Sequence, residues 1–246
     1  MMSRENSLCK KFLLGGNKKM RLPRCAKCKI PSKDKICNAE NGRGPTFCPT
    51  ILFSDLVPKV KAEYKVPEIQ EFFRQATIQE AEGYGNREPG DYILSPIKPR
   101  LEETIEFAKK MHFKRLGIAF CIGLQKEAGM LTEILEIHGF EVASVCCKAG
   151  KIPKEFIGIK EEEKIEIGKF ETMCNPILQA EILNQTETEL NILLGLCVGH
   201  DALFLKKSKA FCTVLAAKDR VTGHNPLSAL YTSHSYYQKI KMDQKR

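Results

Sequence analysis

A chain of 246 residues, 43% hydrophobic and 28% charged, has the length for one good-sized domain plus a small appendage and the composition of an ordinary globular protein. No apolar run approaches the roughly 20 residues that cross a bilayer, and Phe12-Leu13-Leu14, the longest apolar stretch near the amino terminus, is too short for a signal-peptide core, so the expected setting is the cytoplasm, with no membrane partner. The net charge of +9 resides at the two ends: residues 1–50 carry twelve Lys/Arg against three acidic residues, residues 239–246 carry four against one, and the body between them is mildly acidic.

In chain order, residues 1–20 form a basic arm in which Cys9 is a bystander, and Met20 could itself be the native start. Residues 21–50 are rich in Pro, Gly and Lys and hold Cys25, Cys28, Cys37 and Cys48, spaced Cys-x2-Cys-x8-Cys-x10-Cys. So short a segment cannot bury enough apolar surface to hold itself together. Four thiolates on two loops are a usual means of closing a tetrahedral Zn²⁺ shell at about 2.3 Å, and clustered cysteines in a reducing compartment point to metal or redox chemistry before disulfides. Cys48-Pro49 also matches the end of cysteine runs that hold an iron–sulfur cluster, which stays as the alternative cofactor. The basic front could contact nucleic acid, a reading weakened by the scarcity of aromatics there, where only Phe12 and Phe47 occur.

The texture changes at residue 51, where an α/β domain is expected to begin and run to residue 238, followed by the basic tail 239–246. Pro67-Glu68 opens an amphipathic helix through Phe72, Phe73, Ala76 and Ile78 that ends near Gly83; 85–99 is a loop, and a second helix spans 100–111. An alternation follows: strand 116–121, helix 125–137 closed by Gly139, strand 140–146, helix 176–184, strand 190–196, short helix 201–207 and strand 211–217. Short β-rich runs separated by amphipathic helices predict right-handed crossovers and a mostly parallel sheet with helices on both faces, a Rossmann-like three-layer α/β fold with the four-cysteine metal knuckle appended.

In such a sheet, ligands bind outside the carboxyl ends of the strands. That edge is expected to carry Cys121, Cys146-Cys147, Cys197-Val-Gly-His200-Asp201 and Lys218-Asp219-Arg220, contributed by four different strands. Buried cysteine is also an ordinary small hydrophobe, so packing accounts equally well for Cys121 or Cys146 alone, and better for Cys212 inside its strand. Cys174-Asn175-Pro176 has the form of a helix start, with Asn175 as N-cap and Pro176 first in the helix. Cys174 would then face the positive end of a helix dipole, which favours the thiolate. Cys197 and His200 could form a thiolate–imidazolium pair. Asp219 and His224, in the loop 218–226, would supply polar contacts to whatever binds, and the charged residues there suit an anionic ligand. Signatures of dinucleotide, phosphate-loop, zinc-protease and serine-hydrolase sites are absent.

The strings Ile118-Ala-Phe-Cys121-Ile-Gly-Leu, Cys174-Asn-Pro-Ile, Gly195-Leu-Cys197-Val-Gly-His200-Asp201 and Lys218-Asp-Arg-Val-Thr-Gly-His224-Asn-Pro, with the front cysteines, resemble a prokaryotic family, domain of unknown function 1847, over roughly residues 21–238. The resemblance implies metal binding and names no reaction. The resulting expectation is a metal- and thiol-dependent protein. Cys25, Cys28, Cys37 and Cys48 would hold Zn²⁺, and Cys121, Cys146, Cys174, Cys197 and His200 would form a second site that binds metal or performs thiol redox chemistry. A nucleic-acid-binding module and a structural zinc protein without catalysis are the alternatives, and the small-molecule or redox partner is open.

Overall fold

The computed structural model describes residues 22–88 and 93–242. The basic arm with Cys9 and Met20, and the last four residues of the basic tail, lie outside the described residues. The chain divides into two compact units between Glu71 and Phe72.

In the first unit, tight 3₁₀ turns occur at Cys25–Lys27 and Ser32–Asp34, followed by two short helices, α1 (Pro49–Leu52) and α2 (Val57–Glu63). The Cys25–Cys28 turn is closed by the Cys28 N–H donating to the Cys25 carbonyl at 3.0 Å. Ile36 N–H to Arg43 carbonyl and Arg43 N–H to Asp34 carbonyl, both 2.9 Å, tie the middle of the segment. Gly42 fits there because a Cβ would fall 2.3 Å from the Lys35 carbonyl oxygen. Cys48 is the one buried residue among described residues 22–71, so backbone bonding rather than an apolar core shapes this stretch.

The second unit is the three-layer α/β fold that the alternation predicts. Helix α3 (Pro67–Glu82), a two-residue antiparallel pair β1 (Tyr84–Gly85) and β2 (Ser95–Pro96), and α4 (Arg100–Lys110) precede the main sheet. Its strands are β3 (Arg115–Phe120), β4 (Glu141–Cys146), β5 (Leu190–Leu194) and β6 (Phe211–Ala216), all parallel, in the order β4-β3-β5-β6. β3 pairs with β4 from Arg115↔Glu141 to Phe120↔Cys146, and with β5 from Leu116↔Leu190 to Phe120↔Leu194. The crossovers are α5 (Gln125–Ile137), α6 (Pro176–Gln185) and α7 (His200–Lys207), and a short α8 (Leu227–Tyr231) follows β6.

The central strands are almost wholly buried and the edge strands half-exposed, as a parallel sheet covered on both faces requires. Alternation sorts the side chains. Leu116, Ile118 and Phe120 of β3 and Leu190, Ile192 and Leu194 of β5 pack with Ile105 and Ala108 of α4 and Ala128, Leu131 and Leu135 of α5. Ala119 and Leu193 point the other way, against Ala180 and Leu183 of α6 and the fully buried Phe204 of α7. Burying Phe204 alone contributes about 2–3 kcal/mol. Between β3 and β5 the spacing is tight: a Cβ on Gly117 would lie 2.0 Å from Asn191 Oδ1. Asn191, itself fully buried, is held by Thr188 Oγ1 at 2.8 Å and Ser208 Oγ at 2.9 Å.

Helix ends agree with their sequence signals. Asn175 caps α6 by accepting from the Leu178 N–H at 3.0 Å, and Gly139, at φ 88°, ends the turn after α5. α7 opens at His200 with Gly199, at φ 86°, in the N-cap position; Asp201 lies inside the helix, where its carboxylate accepts the neighbouring Ala202 N–H at 2.7 Å. The residues between β4 and α6 form an excursion stapled at its base by the Pro153–Thr172 bridge, by Met173 N–H to the Ile152 carbonyl at 2.8 Å and by a Lys154–Glu171 ion pair. No helix among the described residues is long and apolar enough to cross a membrane.

Candidate functional site

The strand order makes the site. β3 leads through α5 to β4 on one side, and the chain then passes back over β3 to β5 on the other. The connections leaving β3 and β5 diverge, which opens a crevice beyond their carboxyl ends. Three backbone bonds continue the ladder into it: Cys121 N–H to the Leu194 carbonyl at 3.1 Å, Cys147 N–H to the Phe120 carbonyl at 2.9 Å, and Asn175 N–H to the Cys147 carbonyl at 2.8 Å. Cys121, Cys147 and the Cys174–Asn175 pair are thereby drawn to one edge. Gln179 supports them from behind, with its fully buried amide donating to the Val145 carbonyl at 2.7 Å and the Phe120 carbonyl at 3.2 Å.

The crevice has a volume of about 460 Å³. Cys121, Cys147, Cys174 and Cys197 line it together with Lys148, Lys218, Asp219, Arg220 and His224. Among the expected residues, Cys121, Cys174, Cys197, Asp219 and His224 therefore share one cavity. Cys146 lies off this lining. It ends β4 and packs against both apolar layers, while the next residue, Cys147, turns into the crevice and is 2% exposed. His200 is also off the lining, yet its charge acts on the Cys174 sulfur from the start of α7.

Cys147 and Cys174 line the crevice together, near enough for each to act on the ionisation of the other. Cys147 also accepts the Ile122 N–H at 3.4 Å. The neighbouring Cys147 thiol, assisted by the Lys148 ammonium and by His200, pulls Cys174 from the ordinary thiol value of 9.0 to about 5, against the opposing effect of burial. The same proximity and burial push Cys147 the other way, so the proton of the pair resides on Cys147. Lys148 is held in place by donating to the Thr172 carbonyl. The Cys174 thiolate is the form that attacks electrophiles and disulfides.

The far wall is polar. The Arg220 guanidinium donates to Cys197 Sγ at 3.1 Å. The Asp219 carboxylate folds its own loop, accepting the Val221 and Thr222 N–H groups at 2.9 Å each, and those bonds hold its carboxyl below the usual range. His224, at φ 66°, receives the Asp219 N–H on Nδ1 at 3.2 Å, which leaves the ring proton on Nε2. Lys218 has no carboxylate partner among the described residues. Its Nζ and Cys121 Sγ each lie 4.0 Å from where a Cβ on Gly123 would sit. Gly195, at φ 66°, lets the chain leave β5 beneath them: a Cβ there would meet Leu124 Cδ1 at 2.2 Å.

Sequence reasoning brings the Cys146-Cys147 pair to this edge without choosing between its members, and it misses Lys148. Cys147 and Cys146 are adjacent, and only the strand register decides which of them faces the crevice. Lys148 follows directly and is one lysine among many, with no spacing to mark it. For metal, the arrangement is plain: among the described residues no three His, Cys, Asp or Glu side chains are placed to hold an ion. Of the front thiols, Cys25 and Cys37 are exposed, Cys28 is half-buried and Cys48 is buried; burial pushes the Cys48 thiol up, but the polar groups of Thr50 and Ile51 bring it below the ordinary value.

The chain matches the family model described as a protein of unknown function (DUF1847) over residues 48–215, which spans the sheet, Cys121, Cys147, Cys174 and Cys197 but not Cys25, Cys28, Cys37, Asp219 or His224. It is 47% identical over 186 residues to an uncharacterized protein of Methanocaldococcus jannaschii, covering 76% of this chain and 88% of that relative. On sequence, then, the chain belongs to the DUF1847 family.

Proposed function

We propose that this protein performs thiol chemistry on a small molecule in the crevice at the ends of β3 and β5, with Cys174 as the attacking sulfur. The observation that carries the reading is the setting of Cys174. Its sulfur shares the crevice wall with the Cys147 thiol and the Lys148 ammonium, immediately before the amino end of α6. All three features favour the anion, and cysteines whose surroundings favour the anion are the reactive ones. A cavity of about 460 Å³ is of the size that encloses small ligands. Cys121 and Cys197 line the space that a ligand would fill. In the native chain at neutral pH, one cysteine is expected to react with iodoacetamide well ahead of the others, and peptide mapping is expected to identify it as Cys174. Cys174→Ser should abolish the fast phase without altering the circular dichroism spectrum. A fast phase that persists in this variant would remove Cys174 from the proposed chemistry.

A second reading concerns the front segment. The Cys25–Cys28 turn, and the lack of an apolar core around residues 22–50, favour Zn²⁺ as a staple for Cys25, Cys28, Cys37 and Cys48. The four sulfurs do not form a metal site as they stand, so an ion would have to draw them together. Elemental analysis of the purified chain is expected to find one zinc per chain, lost in Cys25→Ser. Zinc-free protein that retains its fold would end this reading, and iron with sulfide would replace it with a cluster.

A further inference from the structure

We infer that Cys147 and Cys174 form a dithiol–disulfide couple that reduces a small anionic disulfide, with Lys218 receiving the anionic group; the inference rests on the reading of Cys174 as attacking sulfur. The two cysteines divide the work by burial. Cys174 is half-buried on the crevice wall and can meet a ligand, whereas Cys147, 2% exposed, lies behind it as the less accessible thiol. Their segments run close together, since the N–H of Asn175, the residue after Cys174, donates to the Cys147 carbonyl at 2.8 Å. Segments joined by such a bond lie roughly 5 Å apart, within the about 4.4–6.8 Å that a disulfide needs between its Cα atoms. Closing the bond therefore asks little of the fold.

The charge of the crevice selects the ligand. Lys148, Lys218 and Arg220 line it, and the only carboxylate on the lining among the described residues, Asp219, is engaged by its own loop. Lys148 is committed to the Thr172 carbonyl and Cys174, and Arg220 to Cys197. That leaves Lys218, close to Cys121 and without a carboxylate partner among the described residues, as the cation available to a ligand. A disulfide bearing carboxylates matches both halves of the site.

The half-reaction balances without a further reagent. The Cys174 thiolate bonds to one sulfur of the disulfide RSSR, whose S–S bond breaks and releases RS⁻, which takes a proton from water. Cys147 then bonds to the Cys174 sulfur, the mixed disulfide breaks, and the second RS⁻ leaves with the Cys147 proton. The protein loses two electrons to RSSR, which becomes two RSH.

The experiment uses the full reduced chain, free of added thiol and air, mixed with dithiodiglycolate as dianionic disulfide, 2-hydroxyethyl disulfide as neutral one and cystamine as cationic one. Intact mass and peptide mapping follow the products. Wild-type protein is expected to lose two hydrogen atoms, carry no adduct and show a Cys147–Cys174 cross-link. Cys147→Ser is expected to stop at a mixed disulfide on Cys174. The dianionic probe should react about tenfold faster than the cationic one at low ionic strength, and Lys218→Gln should erase most of that preference. Wild-type protein that also stops at the mixed disulfide would refute the couple while leaving Cys174 as attacking sulfur. Absence of any reaction at Cys174 with all three probes would overturn the underlying reading as well. Equal rates for the three probes would refute the anionic selectivity.

Discussion

At the scale of single residues, the decisive arrangement is one proton shared unequally between two sulfurs. Cys174 ionises first because the neighbouring Cys147 thiol and Lys148 ammonium favour its anion; Cys147 stays protonated because it faces that anion and is buried. Folding thus favours the ionised form of Cys174, so its contribution to stability is complete above the ordinary value of 9.0 and is lost as pH falls through about 5. Lys148→Gln removes the neighbouring positive charge and is expected to raise the midpoint of Cys174 reactivity by about one pH unit. Iodoacetamide kinetics across pH 4–8 would show the change, and an unmoved midpoint would mean that Lys148 serves the Thr172 carbonyl alone. The sequence revealed Cys174, because Asn-Pro behind it is a helix start readable without a structure. It did not separate Cys147 from Cys146, since one residue of strand register exchanges their faces.

At the scale of elements, the crevice depends on how β3, β4 and α6 are fastened at their ends. Gln179 of α6 spans the Phe120 and Val145 carbonyls from a fully buried position, while its own Oε1 has no partner among the described residues. Gln179→Ala leaves both carbonyls with less bonding and opens a cavity, so a loss of about 2–4 kcal/mol is expected in urea unfolding. A loss under about 0.5 kcal/mol would show that the strand ends hold without it. The helices and strands were legible because each carries its period and its punctuation: Ala128, Leu131 and Leu135 form one stripe of α5, and Gly139 ends it. The excursion between Cys147 and Cys174 was not legible. Ion pairs such as Lys164 with Glu155 at 2.5 Å and Glu161 at 2.8 Å, rather than an apolar pattern, hold it together. α1 and α2 bury nothing and so left no stripe to read.

At the scale of the whole molecule, the two units differ in what holds them. Phe72–Arg246 contains both apolar layers and the crevice, while the described residues of the other unit bury only Cys48. The family match begins at Cys48, so Cys25, Cys28 and Cys37 fall before the matched region and the four thiols of the crevice fall within it. The proposed chemistry therefore resides in the crevice, and its most direct test is the pH profile of Cys174 alkylation in the native chain, resolved by peptide mapping. The rate is expected to climb through an apparent pKa near 5 and to be flat by pH 7. A rate that keeps rising past pH 8, as that of an unperturbed thiol does, would contradict it.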